Sequence, residues 1–274
     1  MRRGALSLGL LAAALVLAVA GSASGPAGRQ TLDAAGPRVN PLTATPGPAP
    51  PGSATDAPRT TLSLPPAFPT TTTTPPHRNL VATARGPSID VFASPDAGAP
   101  VSWTLPNPRA SGSEQVFLVI GGGGDWLNVL VPVRPNGSSG WIRTSDVTLA
   151  GHDFSIVVEL GAHKLTVYEG DAIWAEEPVG VGVANTPTPG GRFYTVELFA
   201  SQKAAYGPYA YGLSGYSEVL YDFAGGDGQF GIHGTSDPSG IGSDVSNGCI
   251  RMSNEAITRL AETLPIGVPV EIRA

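Results

Sequence analysis

The chain has a single cysteine, Cys249, in 274 residues. That excludes an intrachain disulfide and any zinc site built from paired cysteines. Lysine is almost missing, with only Lys164 and Lys203. Charged residues make up 14% of the chain, the net charge is −6 and no basic stripe is visible. Nucleic acid is therefore not an expected partner. There is no HExxH and no other paired ligand spacing, so neither a metal nor a cofactor is expected. Asp237 and Asp244 read as turn residues rather than ligands. Helical periodicity is scarce too, which points to a mainly β protein.

What is present begins with a leader. Arg2 and Arg3 precede an apolar run from Ala5 to Ala20 and then small residues. Residues 1–24 read as a secretory signal peptide, and export out of the cytoplasm is expected. An uncleaved membrane anchor is the alternative, although the run is short for a span of roughly 20 residues. No cysteine follows the signal, which excludes a lipid-modified N-terminal cysteine. Residues 25–77 are rich in Pro, Thr and Ala and poor in aliphatic side chains. Such a stretch buries too little apolar surface to offset its ordering entropy. It is read as a disordered linker, either a spacer from a membrane or a leader with no positional role.

Residues 78–150 hold short apolar runs at Ser88–Phe92, Gln115–Ile120, Trp126–Pro132 and Gly140–Leu149, separated by Gly/Pro/Asn turns. This spacing predicts a small β-barrel. The pattern "WLNVLVP…NGSSGWIRTSDV" resembles bacterial SH3-like domains, which implies a wall-binding or positioning module; a barrel that only packs on its neighbour is the other reading. Residues 151–274 carry longer strands at Ile156–Leu160, Lys164–Gly170, Ile173–Val183, Arg192–Phe199 and Val268–Arg273. One helix is predicted near the C-terminus. Ser253 or Asn254 caps it, Ala256, Ile257, Leu260, Ala261 and Leu264 form its apolar face, and Pro265 stops it.

A lone thiol in an exported chain is inert and buried, bridged to another chain, or a nucleophile. Cys249 lies four residues before Ser253, where a helix N-terminus and Arg251 would lower its pKa. Gly248 would let a carbonyl approach, and the amides of Asn247, Gly248 and Cys249 could face an oxyanion. Nucleophilic catalysis also needs a base. His77 sits at the linker edge, His152 near the domain junction and His163 in an exposed turn. His233 ends the run QFGIH beside Gly234, at a strand end that can face a cleft.

The stretch "IHGTSDPSGIGSDVSNGCIRMSN" closely resembles the active-site signature of the L,D-transpeptidase (YkuD) catalytic domain. Its pieces here are His233-Gly234-Thr235 and Ser246-Asn247-Gly248-Cys249-Ile250-Arg251. "NTPTPGGRF" and "IVVELGAHKLTVYEG" resemble two further elements of that family, and the likeness spans roughly residues 154–273. The resemblance implies a β-sandwich-like fold. It also implies a reaction with peptidoglycan stem peptides, between a tetrapeptide donor and an amine acceptor. Cys249 would form a thioester with release of D-Ala, and His233 would be the base. The Gly234 carbonyl would orient the ring, the amides of residues 247–249 would hold the oxyanion, and Arg251 would support the loop. Carbapenem-type β-lactams would acylate the thiol, and a monomer is expected. Many relatives carry a basic residue where this chain has Asn247, which puts rate and donor preference in question.

Residues 201–228 are rich in Gly and Tyr. They read either as a lid over the donor or as an edge loop whose tyrosines pack on the sheet; Tyr211 and Tyr216, and separately Ser246 in the signature, are candidate substrate contacts. Two other outcomes stay open at this point: an L,D-carboxypeptidase in which water resolves the thioester, and a non-catalytic wall-binding protein.

Overall fold

Valine, isoleucine and aromatic residues on alternate positions favour strands with one buried face. A computed structural model describes residues 78–201, 203–222 and 226–274, in which seventeen strands and one α-helix form. The leader at 1–24, the linker at 25–77 and His77 lie outside the described residues. No helix among the described residues is long and apolar enough to cross a membrane.

The first sheet comprises β1 (Asn79–Ala84), β2 (Ser88–Phe92), β3 (Val101–Pro106), β4 (Val116–Gly123), β5 (Trp126–Leu130), β6 (Ser139–Arg143) and β7 (Val147–His152). It is antiparallel, in the order β3-β2-β6-β5-β4-β1-β7. Ala82, Val91, Phe117, Val129 and Ile142 are fully buried at its centre. The sequence runs locate β2, β4, β5 and β6, but not β1 or β3. The run Gly140–Leu149 is two strands rather than one, parted by a 3-10 turn at Thr144–Asp146.

The rest of the chain forms β8 (Phe154–Glu159), β9 (Lys164–Glu169), β10 (Ala172–Pro178), β11 (Val181–Gly182), β12 (Gly191–Ala200), β13 (Tyr209–Tyr216), β14 (Gln229–His233), β15 (Asp244–Ser246), β16 (Ile250–Arg251), α1 (Asn254–Thr263) and β17 (Pro269–Arg273). Eight of these strands join in the order β10-β9-β8-β17-β12-β13-β14-β16, while β11 and β15 pair separately. Strand β12 joins the two halves of the sheet. It pairs with β17 through Gly191–Tyr194 and with β13 through Thr195–Ala200, with a register shift after Thr195. The core holds Ile156, Leu165, Val167, Phe193, Leu213 and Ile232, closed by Ile257 and Leu260 of α1. Ser253 caps α1, its hydroxyl accepting from the Ala256 amide at 3.0 Å.

Residues 209–216 are neither lid nor edge loop. They form β13, an inner strand flanked by β12 and β14. Its tyrosines are structural. The Tyr211 hydroxyl lies 3.0 Å from the Leu260 carbonyl, which also accepts the Leu264 amide, and 3.2 Å from the Leu264 carbonyl just past the end of α1. The Tyr216 hydroxyl donates to the Pro132 carbonyl at 2.9 Å, and the Tyr216 backbone pairs with the Asn136 amide through two bonds. Burial and these bonds commit the Tyr211 and Tyr216 hydroxyls to the fold, although Tyr211 still lines the cavity shared by His233 and Cys249.

The two sheets share an apolar seam of Val81, Val116, Leu118 and Leu130 against Tyr194 and Val196. The Tyr194 hydroxyl sits between the carbonyls of Val116 (3.1 Å) and Leu130 (3.3 Å). Arg134 donates to the carbonyls of Ser217, Leu220 and Asp227 and stacks over Tyr221 at 4.4 Å. Tyr194→Phe removes the one hydroxyl proton shared at this seam; the Leu130 carbonyl loses its side-chain donor, while the Val116 carbonyl keeps the Gln115 amide at 3.3 Å. The substitution is expected to lower unfolding free energy by about 1–2 kcal/mol; an unchanged urea midpoint would refute that role.

Candidate active site

His233 is the last residue of β14, and Cys249 immediately precedes β16. The two strands run parallel, with Ile232 opposite Ile250 and His233 opposite Arg251. This register sets Cys249 beside Gly231, two residues from His233. Both side chains line one cavity of about 180 Å³ together with Tyr206, Glu197, Gln229 and Phe199. A separation of sixteen in sequence thus becomes a cross-strand neighbourhood.

The imidazole has a fixed tautomer. Its Nδ1 lies 2.5 Å from the Gly234 carbonyl oxygen. A carbonyl only accepts, so Nδ1 carries the proton and Nε2 keeps its lone pair. The Tyr206 ring meets the imidazole edge-on at 4.7 Å. Burial lowers the His233 pKa to about 4, Arg251 adds to the shift, and the bond to Gly234 opposes it. His233 is consequently neutral at pH 7 and able to accept a proton.

The thiol differs from expectation. Cys249 keeps partial exposure as a residue, but burial pushes its thiol pKa up; the Gly231 backbone bond and the Arg251 charge oppose this without reversing it. β16 stands between the thiol and the helix N-terminus, where the Ser253 hydroxyl takes up the Ala256 amide. The resting pair is thiol and neutral imidazole rather than thiolate and imidazolium. Alkylation of Cys249 by iodoacetamide is expected to rise roughly tenfold per pH unit between pH 7 and 9, since only the thiolate reacts. A plateau reached below pH 7 would show the ion pair instead.

The loop before the thiol is stapled. The Ser246 hydroxyl donates to the Cys249 carbonyl at 2.6 Å and accepts from the Gly248 amide at 3.0 Å. Ser246 is thus buried and structural, not a substrate contact. The Gly248 amide is spent on it, which removes that amide from the anticipated oxyanion set. Gly248 has φ +111, a conformation that L side chains rarely adopt. Asn247 is exposed, and its Oδ1 is 3.5 Å from the Thr186 hydroxyl. The Arg251 backbone exchanges two 2.8 Å bonds with Gly180, while its Nε is buried with no partner among the described residues. Gly234 is buried against Gly207 and Asn254.

His163 and Asp244 form a 2.8 Å pair away from this cavity, and Asp244 belongs to β15 rather than to a turn. Asp237 does cap a 3-10 turn at Pro238–Gly240. The sequence reading did not single out Tyr206 as a site residue, nor Gly231 or Glu197. Tyr206 lay in a segment already under notice; Glu197 had no local signal, because only strand pairing brings it near.

Residues 153–272 match the model of the L,D-transpeptidase catalytic domain, YkuD. The Bacillus subtilis (strain 168) protein YkuD is 34% identical over 119 residues, covering 43% of this chain and 65% of that protein. YqjB of the same organism is 32% identical over 122 residues, covering 43% of this chain and 69% of YqjB. Among solved structures, an L,D-transpeptidase from Mycobacterium smegmatis aligns with 72% of this chain and 83% of its own at 17% identity and TM-score 0.37. The chain belongs to the YkuD family of L,D-transpeptidases. It spans 65% of the length of the first curated relatives it matches.

Proposed function

We propose that the chain cross-links peptidoglycan stem peptides outside the cytoplasm by cysteine-dependent acyl transfer. The observation that carries this reading is a lone thiol in one cavity with a neutral imidazole of fixed tautomer. The Cys249 sulfur attacks the carbonyl joining the third residue to the terminal D-Ala of a tetrapeptide donor. The thiol proton passes to His233 Nε2. The tetrahedral oxyanion is held by backbone amides of the Asn247–Cys249 loop other than that of Gly248. On collapse, the C–N bond breaks, Nε2 returns the proton to the departing D-Ala amine, and a thioester remains. An amine from a second stem attacks the thioester, loses its proton to Nε2 and restores the thiol.

The buried thiol suits this order of events. With the proton on sulfur at rest, the nucleophile forms as attack proceeds, which also limits oxidation of an exported cysteine. Bracing fits the first sheet better than independent wall binding, since Tyr194, Arg134 and Asn136 tie its face and its β5–β6 loop to the catalytic sheet. Its SH3-like character, the signal peptide and the monomeric state belong to the same proposal.

The test is to incubate the full chain with a disaccharide-tetrapeptide and record masses. A cross-linked dimer short of one D-Ala supports the reading. D-Ala loss without a dimer makes the protein an L,D-carboxypeptidase. No change with the fold intact sinks both and favours the non-catalytic wall-binding alternative.

A further inference from the structure

Glu197 is a carboxylate buried to 8% exposure on β12. Its side chain has one hydrogen bond among the described residues, a long 3.4 Å contact from the Ser113 hydroxyl. No Lys or Arg among them forms an ion pair with it. A buried carboxylate with so little compensation is costly unless a cation completes it.

Strand register says where that cation would come from. Glu197 pairs with Gly212, Gly212 pairs with Gly231, and Gly231 lies beside Cys249. A row thus crosses four adjacent strands from carboxylate to thiol, with two glycines between. Both glycines are required. A Cβ on Gly212 would fall 2.6 Å from Glu197 Oε1, and one on Gly231 would run into the Tyr211 carbonyl. The carboxylate therefore lies over Gly212 and the thiol beside Gly231, in the same cavity. Strands are spaced about 4.8 Å apart, so roughly 5–10 Å separates sulfur from carboxylate.

We infer that Glu197 is the counter-ion for a side-chain ammonium on the third residue of the acyl donor, the residue whose carbonyl Cys249 attacks. The inference rests on the transpeptidase reading. An amine at the end of a diamino-acid side chain lies six bonds from the acyl carbon, a reach of roughly 7 Å when extended. That reach falls within the roughly 5–10 Å that strand spacing puts between the thiol and Glu197. Glu197 and Gln229 also line a second cavity of about 440 Å³, whose lining includes Arg109 from the loop after β3. Arg109 Nε is buried without a partner among the described residues. A carboxylate beside the amine, where the side chain carries one, points towards that guanidinium. Glu197 touches substrate in this scheme but not the reacting atoms, so it sets specificity rather than rate.

The experiment compares two tetrapeptide donors, one with a free side-chain amine and one with that amine acetylated. D-Ala release is followed in a single turnover so that no acceptor is needed. Wild type is expected to use the free-amine donor at least tenfold better, chiefly through tighter binding. Glu197→Gln is expected to lose that preference by weakening the free-amine donor, with circular dichroism confirming the fold. Equal use of both donors by wild type overturns the inference while leaving transpeptidation standing; so does a folded Glu197→Gln protein that keeps the preference. Release from neither donor overturns the transpeptidase reading and this inference with it. If the glutamine variant fails to fold, equal use of both donors by wild type still overturns the inference, and Glu197→Asp, which keeps the charge but shortens the reach, is expected to weaken the preference.

Discussion

Cys249→Ala is expected to release no D-Ala from a tetrapeptide and to form no cross-link, a loss of roughly 10⁴-fold or more relative to the natural chain. The size follows from there being one cysteine in 274 residues, so no second thiol can take over. The nearest alternative nucleophile in the loop, the Ser246 hydroxyl, is bonded to the Cys249 carbonyl and the Gly248 amide. Cys249→Ser should be nearly as inactive. A hydroxyl is far less acidic than a thiol, and neutral His233, at about 4, is a weak base. The same substitution decides a second reaction. A carbapenem ring is a strained acyl donor, and opening it on sulfur adds the whole drug mass to the protein. That adduct is expected on the natural chain and not on Cys249→Ala. Cross-linking by the alanine variant, or an adduct on it, would place the reactive group elsewhere and refute the assignment.

Much of this site was legible from residue order because its chemistry is local. His233-Gly234 and Ser246 to Arg251 are contiguous segments, and their glycines mark places where backbone geometry excludes a side chain, as the φ of Gly248 shows. The terminal helix was equally plain, since a cap, an apolar face and a stop lie within thirteen residues, from Ser253 to Pro265. What failed depended on partners distant in sequence. Tyr211 looked free to bind a ligand until α1 was placed with the Leu260 and Leu264 carbonyls facing it. The Gly/Tyr alternation of β13 reads as loop composition, yet glycine is needed there for close approach, as at Gly212 against Glu197. Glu197 had no signal at all, because 52 residues separate it from Cys249 and only the register of four strands joins them. The thiol's acidity was misjudged for a related reason. Proximity to a helix start can be read from sequence, whereas the burial that outweighs it cannot.

His233→Asn is expected to lower D-Ala release by 10²–10⁴-fold while keeping the fold. The asparagine amide can still donate to the Gly234 carbonyl, as Nδ1 does, but nothing replaces Nε2. The variant therefore separates the structural half of the ring from its catalytic half. With the base gone, the Cys249 proton must leave to water, so residual activity should climb with pH as the raised thiol pKa is approached. Stability should respond in the opposite sense to a simple loss. The folded-state pKa of about 4 lies below the unfolded value near 6.5, so the unfolded chain takes up the proton first. The contribution of neutral His233 is complete above about pH 6.5 and drains away as pH falls towards 4, a change on the order of 3 kcal/mol. The asparagine variant has no such group to titrate, and its urea midpoint should fall less across that window. Matching acid sensitivities in the two proteins would show that His233 is not held neutral by burial. A variant as active as the natural chain would show that it is not the base. Both results bear on one arrangement: the Gly234 bond and the surrounding core fix the imidazole in the form that can receive the proton of Cys249.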